Sequence, residues 1–355
     1  MVFPVLVWIV VGGMSLGASI LATLIVLRSM RARAILDQPN DRSSHKVATP
    51  VGGGIAVIGV IAMEWMLVWV LDGAGNGFTY PIALLVILAV ILAAVSWIDD
   101  VRGLSVVLRL LVQAFAVLIG IAALSAHGRI FQGLLPYGLD VVLTTFIWLW
   151  FINLTNFMDG IDGITGVETG SISIGVLLIA PFAIASGAAI GIFLQPSFGL
   201  FGLVVGAAGI GFLIWNWAPA RIFMGDVGAV PLGFLLGWML LELAGSGLWI
   251  AALILPLYYL ADSTLTLARR LLRRETITEA HRSHFYQQAA IRLGSHSVVV
   301  VAILALNIAL VALAFVASAQ PQMAIPALLV AAALTAILIW YFGRGGDTMS
   351  SNEQQ

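Results

Sequence analysis

The chain has 355 residues, 61% of them hydrophobic and 9% charged, with a net charge of −1 and no cysteine. A soluble domain carries about 25% charged residues, so most of this surface can be solvated only by lipid, and the near-neutral balance offers no basic field for nucleic acid. The lack of cysteine excludes disulfides, thiolate metal sites and cysteine nucleophiles, which leaves oxygen and imidazole ligands and points to hard cations such as Mg²⁺, with Mn²⁺ as the alternative.

The first apolar run has no Lys or Arg ahead of it, and Arg28, Arg31 and Arg33 follow it. A cleaved signal has the reverse order, so residues 3–27 are predicted to form a retained transmembrane helix. Further spans are predicted at 53–71, 80–98, 106–126, 138–155, 170–188, 198–217, 229–245, 248–267, 297–317 and 323–342. The predicted fold is therefore all-α, a polytopic bundle of about eleven spans at about 20 apolar residues each. Residues 1–342 form one transmembrane domain, and 343–355 read as a disordered polar tail. Orientation follows from the basic residues. The segments 28–52, 99–105, 156–169, 218–228, 268–296 and 343–355, with Arg109 at the start of a span, hold every Lys and Arg except Arg129. That side is predicted to be cytoplasmic, with the N-terminus outside and the C-terminus inside.

The same segments hold the chemistry-bearing clusters. Asp37-Gln-Pro-Asn-Asp-Arg42-Ser-Ser-His45-Lys46, then Pro50-Val-Gly-Gly, makes a turn at the mouth of the second span. Its Arg42, His45 and Lys46 suit phosphate, although a basic inner loop alone obeys the orientation rule. Asp99-Asp100 ends a span with two adjacent carboxylates, which repel each other near a low-dielectric boundary unless a cation or proton joins them. Asn153-Leu-Thr-Asn156-Phe-Met-Asp159-Gly-Ile-Asp162-Gly is a tight polar turn between apolar spans. Its side chains can read a base or ribose by hydrogen bonds. Phe223-Met-Gly-Asp226-Val-Gly places an acid between glycines at the start of a span, where it can cap the helix or hold a metal. Arg269, Arg270, Arg273 and Arg274 suit anionic lipid headgroups. His281 and His284, with Arg282 between them, are spaced to share one helix face.

Taken in order from Asp37 to His284, these strings resemble the polyprenyl-phosphate N-acetylhexosamine-1-phosphate transferases, glycosyltransferase family 4. Asp37-x-Pro-x-x-Arg42-x-x-His45, Asp99-Asp100 with Leu104-Ser105, Asn156-Phe-x-Asp159-Gly-x-Asp162-Gly and Phe223-Met-Gly-Asp226-x-Gly228 match its motifs. The family's loop usually carries three close histidines, whereas only His281 and His284 stand here. Ala229 also stands where Ser is common. The string from His281 to Gln287 looks closer to the O-antigen-initiating branch than to the peptidoglycan branch.

The resemblance implies transfer of a sugar 1-phosphate from a UDP-amino sugar to undecaprenyl phosphate, releasing UMP, at the cytoplasmic face of the bacterial inner membrane. It implies Mg²⁺ on Asp226, with Asp99 as a second metal contact. Asp99 or Asp100 would engage the lipid phosphate, while Asn156, Asp159 and Asp162 position the nucleotide. Arg42, His45, Lys46, His281, Arg282 and His284 would bind anionic or sugar groups. An apolar groove would hold the prenyl chain. Direct attack and a covalent aspartyl intermediate both stay open, as do the identity of the sugar and whether the chain forms a homodimer. The alternatives are the peptidoglycan-precursor transferase of the same family and a secondary transporter. For transport the intramembrane acids Glu64, Glu242 and Asp262 are the supporting feature. Glu64 and Glu242 are expected to reach water, and Asp262 to support the active site.

Overall fold

The computed structural model describes residues 5–39, 47–71, 81–124, 129–185, 197–276 and 281–344. The basic part of the first cluster, with Arg42, His45 and Lys46, lies outside them, as does the tail from 345.

The protein is an all-α polytopic membrane protein. Its helices are α1 (Val5–Ala32), α2 (Gly54–Leu71), α3 (Pro81–Arg102), α4 (Val106–Ile121), α5 (Tyr137–Phe157), α6 (Ile164–Ala185) and α7 (Ser197–Asn216). They continue with α8 (Asp226–Leu243), α9 (Trp249–Ile254), α10 (Leu257–Leu272), α11 (Phe285–Leu293), α12 (His296–Ala319) and α13 (Ala324–Gly343). Among the described residues, 8 helical segments are long and apolar enough to cross a membrane, while α2 and α4 are apolar but shorter.

Packing follows the logic of a lipid solvent. On α1 the buried stripe is Ser15, Ser19, Thr23, Leu27 and Met30, while Leu6, Ile9, Met14, Leu21 and Ile25 are exposed. Apolar side chains gain little by leaving lipid for protein, so small polar residues are placed at helix contacts. Ser19 donates to the Ala208 carbonyl of α7 at 2.7 Å, and Ser15 donates to Glu64 of α2. Glu64 and Glu242 are both buried, which corrects the expectation that they reach water.

At the centre stands α8, buried from Val227 to Leu243 and packed against α2, α3, α5 and α6. Gly54 and Gly228 let α2 and α8 touch backbone to backbone, because a Cβ on Gly54 would lie 2.2 Å from the Gly228 Cα. The two-residue connection expected at 246–247 is a kink at Gly247, where φ is 89°, within Ala244–Leu248, and it links α8 to α9. The helix α6 begins at Ile164, earlier than the expected 170. Thr165 and Glu168 can enter it because each has a buried partner, Asp159 and Asn307 respectively.

One small ribbon departs from the helical plan. β1 (Leu36–Asp37) pairs antiparallel with β2 (Thr49–Pro50). The chain after β2 then zips onto the loop before α8: Phe223 N–H donates to the Pro50 carbonyl, Gly53 N–H to Phe223 and Gly54 N–H to Met224, at 2.8 to 2.9 Å. The first and fourth sequence clusters are thereby made neighbours.

Candidate active site

The C-terminal ends of α3, α5 and α10 meet the N-terminal ends of α4, α8 and α11, and there the acidic motifs converge. Asp99, Asp100, Asp159 and Asp226 lie within electrostatic range of one another. One cation is set among them: Arg109 of α4 bonds Asp99 at 2.8 Å and lies 3.8 Å from Asp226.

Each acid has a distinct local job. Asp99 accepts from the Leu104 N–H at 2.6 Å and from Arg109, so it holds both the α3–α4 turn and the arginine. Asp100 lies close to the start of α8, where the backbone N–H groups of Asp226 and Val227 favour its charged form. A carboxylate there suits the positive end of the helix dipole. This approach requires the close turn at Gly225, where φ is 73° and a Cβ would come 3.2 Å from the Asp100 Oδ2. Asp226 lies beside Asn156 of α5, whose side chain favours its charged form, and, with a side chain 30% exposed, it is the one carboxylate among the described residues that lines the adjoining cavity.

Asp159 sits in the turn between α5 and α6 and accepts from Thr165. Burial raises its carboxyl to about 7, against the Thr165 bond, with the charges of Asp226, Asp100 and Asp162 adding to the rise. Asp162 faces another way. It accepts from the Ala220 N–H at 3.0 Å and pairs with His296 at 3.4 Å, so it ties the turn to the loop before α8 and to the start of α12.

The histidines lie on an extended strap ahead of α11, not on a helix face. Asp262 of α10 sets the strap. Fully buried, it accepts from the Phe285 and Tyr286 N–H groups and faces the His284 Nδ1, at 3.0 to 3.1 Å. Tyr258 and Thr266 donate to it as well. The rings of His281 and His284 stack with centroids 5.1 Å apart. Desolvation, with His284 and Arg270 adding their charges, lowers His281 to about 4. It is therefore neutral at physiological pH, a hydrogen-bonding group and not the cation that phosphate binding would favour. Arg282 is half-buried on the same strap. Tyr286 donates to the Phe157 carbonyl at 2.9 Å, joining the strap to the Asp159 turn. Gly160 makes room for it, since a Cβ there would fall 2.2 Å from the Tyr286 hydroxyl.

A cavity of about 550 Å³ opens from this cluster. Arg109, Asn156, Asp226, His281, His284 and Gln287 form its polar end, and Leu92, Val95, Leu110, Phe146, Leu149 and Trp150 of α3, α4 and α5 form its apolar wall. Asp262, Thr165, Tyr286 and His296 organise this region. Of these, sequence patterns single out only Asp262, as a charge inside a span. Arg109 had a similar signal, a lone charge at the start of an apolar helix just after the acidic pair.

Among the described residues, no three His, Asp or Glu side chains form a ready metal cage. The donor set still fits Mg²⁺, which is commonly held by one or two carboxylates together with substrate phosphates. Asp226, facing the cavity, meets that requirement, whereas Asp99 has both oxygens engaged by Leu104 and Arg109.

Residues 82–244 match the model of glycosyl transferase family 4. The chain is similar to that family over this stretch, which is less than half of its length. It is 28% identical to a probable undecaprenyl-phosphate N-acetylglucosaminyl 1-phosphate transferase of Bacillus subtilis, over 76% of this chain and 75% of that protein. It is also 28% identical to a phospho-N-acetylmuramoyl-pentapeptide-transferase of Acaryochloris marina, over 69% of this chain and 66% of the relative. A decaprenyl-phosphate N-acetylglucosaminephosphotransferase of Mycolicibacterium smegmatis is 29% identical, over 56% of this chain and 51% of its own length.

Proposed function

We propose that the protein transfers N-acetylhexosamine 1-phosphate, or a 6-deoxy amino-sugar 1-phosphate, from a UDP-sugar to undecaprenyl phosphate. The products are undecaprenyl diphosphate sugar and UMP. This is the first step of a lipid-linked surface glycan such as O-antigen, run at the cytoplasmic face of the bacterial inner membrane. One observation supports it above the others: a single cavity joins a carboxylate cluster to an apolar groove between spans. A phosphorylated lipid and a water-soluble diphosphate can meet only in such a place.

In this reading Asp226 would hold Mg²⁺, which when bound would supply neutralisation of phosphate charge. Arg109 draws the lipid phosphate toward the cluster, while Asp99 fixes the guanidinium. A base is not required for the attack, because a phosphate monoester is largely ionised above its second pKa of about 6. Asn156 holds Asp226 in register, and Asp159 adds negative charge beside it. His281, neutral, offers hydrogen bonds to sugar or ribose, and Arg282 and Lys46 meet phosphate oxygens.

The second reading is the peptidoglycan-precursor transfer, favoured by the similarity to the Acaryochloris marina protein. One assay decides between them. Purified protein with undecaprenyl phosphate and Mg²⁺ is offered a panel of UDP-N-acetylhexosamines and UDP-MurNAc-pentapeptide, with Asp226→Ala as control. UMP release that needs lipid and Mg²⁺ and vanishes in the variant establishes the reaction, and the active donor names the branch. Folded protein that releases no UMP from any donor removes the proposal.

A further inference from the structure

Two amides interrupt the apolar wall of the cavity. Gln113 stands four residues after Arg109 on α4, and Asn153 stands three before Asn156 on α5, so each lies one helical turn, about 5 Å, further along the groove. Gln113 is 7% exposed, and both residues line the cavity. Asn153 Nδ2 donates to the Gln113 Oε1 at 2.8 Å and to the Leu149 carbonyl at 2.8 Å. Asn153 thus has both amide hydrogens placed, and it fixes which way the Gln113 amide faces. Among the described residues, no protein group accepts from the Gln113 Nε2, whose hydrogens remain for something in the cavity. On an otherwise apolar wall the hydrogens of this amide are best satisfied by an acceptor group bound in the cavity.

The prenyl chain has no acceptor; its phosphate does. We propose that Gln113 binds a phosphate oxygen of the lipid acceptor, one turn deeper than Arg109. The two residues would bracket the phosphate along α4 and set how far the lipid head enters beside Asp226. A neutral donor suits this depth, because a second cation in the apolar groove would be expensive without a partner. This inference rests on the transferase reading above and adds to it a residue that reads the acceptor, not the nucleotide sugar.

The test separates Gln113 as a ligand from Gln113 as a brace between α4 and α5. UMP release is measured with undecaprenyl phosphate and UDP-sugar varied separately, for the wild type, Gln113→Leu and Gln113→Glu. The expected result is a rise of about tenfold in the lipid KM for Gln113→Leu, roughly the loss of one hydrogen bond to a charged group. Gln113→Glu, which sets a carboxylate against the phosphate, is expected to raise it further. The UDP-sugar KM should stay within about twofold in both. An unchanged lipid KM, or lipid and nucleotide constants moving together, overturns the proposal.

A second measurement needs no turnover: the shift in melting temperature on adding farnesyl phosphate or farnesol to the full chain in detergent. Wild-type protein is expected to be stabilised more by the phosphate than by the alcohol, and Gln113→Leu by a clearly smaller margin, because Arg109 still meets the phosphate. An undiminished phosphate preference in Gln113→Leu overturns the proposal. If wild-type protein releases no UMP with any donor, the transferase reading falls, and the farnesyl phosphate comparison still decides the role of Gln113.

Discussion

Asp226 and Asp159 differ in what surrounds them, and the difference makes two predictions. Asp226 lines the cavity beside Asn156, and Asp226→Asn keeps the shape and removes the charge. Its kcat for UMP release should fall by roughly 10²-fold or more, the scale for removing an electrostatic contact to a transition state, with folding intact by thermal melt. Asp159 holds its proton to about 7 instead of the ordinary 3.8. Between those values the folded protein keeps a proton that the unfolded chain releases. This group therefore favours the folded state at low pH, and its contribution is lost as pH rises through about 7. Asp159→Asn should flatten that part of the stability profile in detergent. In the active assay, its variant should lose the rise in rate expected across the same window as the carboxylate forms beside the cation site. The acids themselves were legible in the sequence, because paired carboxylates at a membrane boundary are too costly to be incidental. Their partners were not: the approach of Asp100 to the start of α8 and the Asp162–His296 pair join residues far apart in the chain, which no local spacing reveals.

At the scale of elements, the strap before α11 depends on one buried carboxylate. Asp262 accepts two backbone N–H groups at the helix start and faces the His284 imidazole. Asp262→Ala leaves these donors buried without acceptors, at about 1–3 kcal/mol each. It should lower stability by on the order of 3 kcal/mol or more and raise the donor KM, read by denaturation and by UMP release. Gly160→Ala is the milder companion. Its Cβ would meet the Tyr286 hydroxyl and, at 2.8 Å, the Gln287 amide, so it should cut activity by displacing the strap while leaving the bundle folded. An unchanged rate in Gly160→Ala would show that the Tyr286–Phe157 bond is dispensable. The sequence placed His281 and His284 on one helix face because three-residue spacing suits a helix. The capping geometry of Asp262 instead starts the helix at Phe285, and stacking brings the two rings together on an extended segment. The start of α6 shifted for a different reason: the glycine turn ends early, and polar side chains enter the span with partners waiting.

Across the whole molecule, hydropathy located the long apolar helices, since about 20 apolar residues are needed wherever a helix crosses lipid, but 8 helical segments among the described residues meet that length where about eleven spans were expected, and the expected span 248–267 is divided between α9 and α10. Hydropathy could not show which face of each helix turns inward. The α1 stripe of Ser15, Ser19 and Thr23 reads as weakly polar noise in sequence and is the packing surface in the fold. The orientation is the reading that most needs a direct measurement, and the composition makes one clean. With no native cysteine, a single introduced thiol is the only site for a membrane-impermeant maleimide. Arg129 is exposed at the end of the bundle away from the acids, and Arg273 is exposed beyond the C-terminal end of α10, near the histidine strap. Arg129→Cys should be labelled in intact spheroplasts, and Arg273→Cys only after the membrane is opened or inverted, because basic residues are retained on the cytoplasmic side. The reverse pattern would turn the acidic cluster outward and remove the proposed transfer at the cytoplasmic face. Labelling of both residues from one side would mean an even number of crossings between them, and the odd number required by the eleven-span arrangement would fall with it.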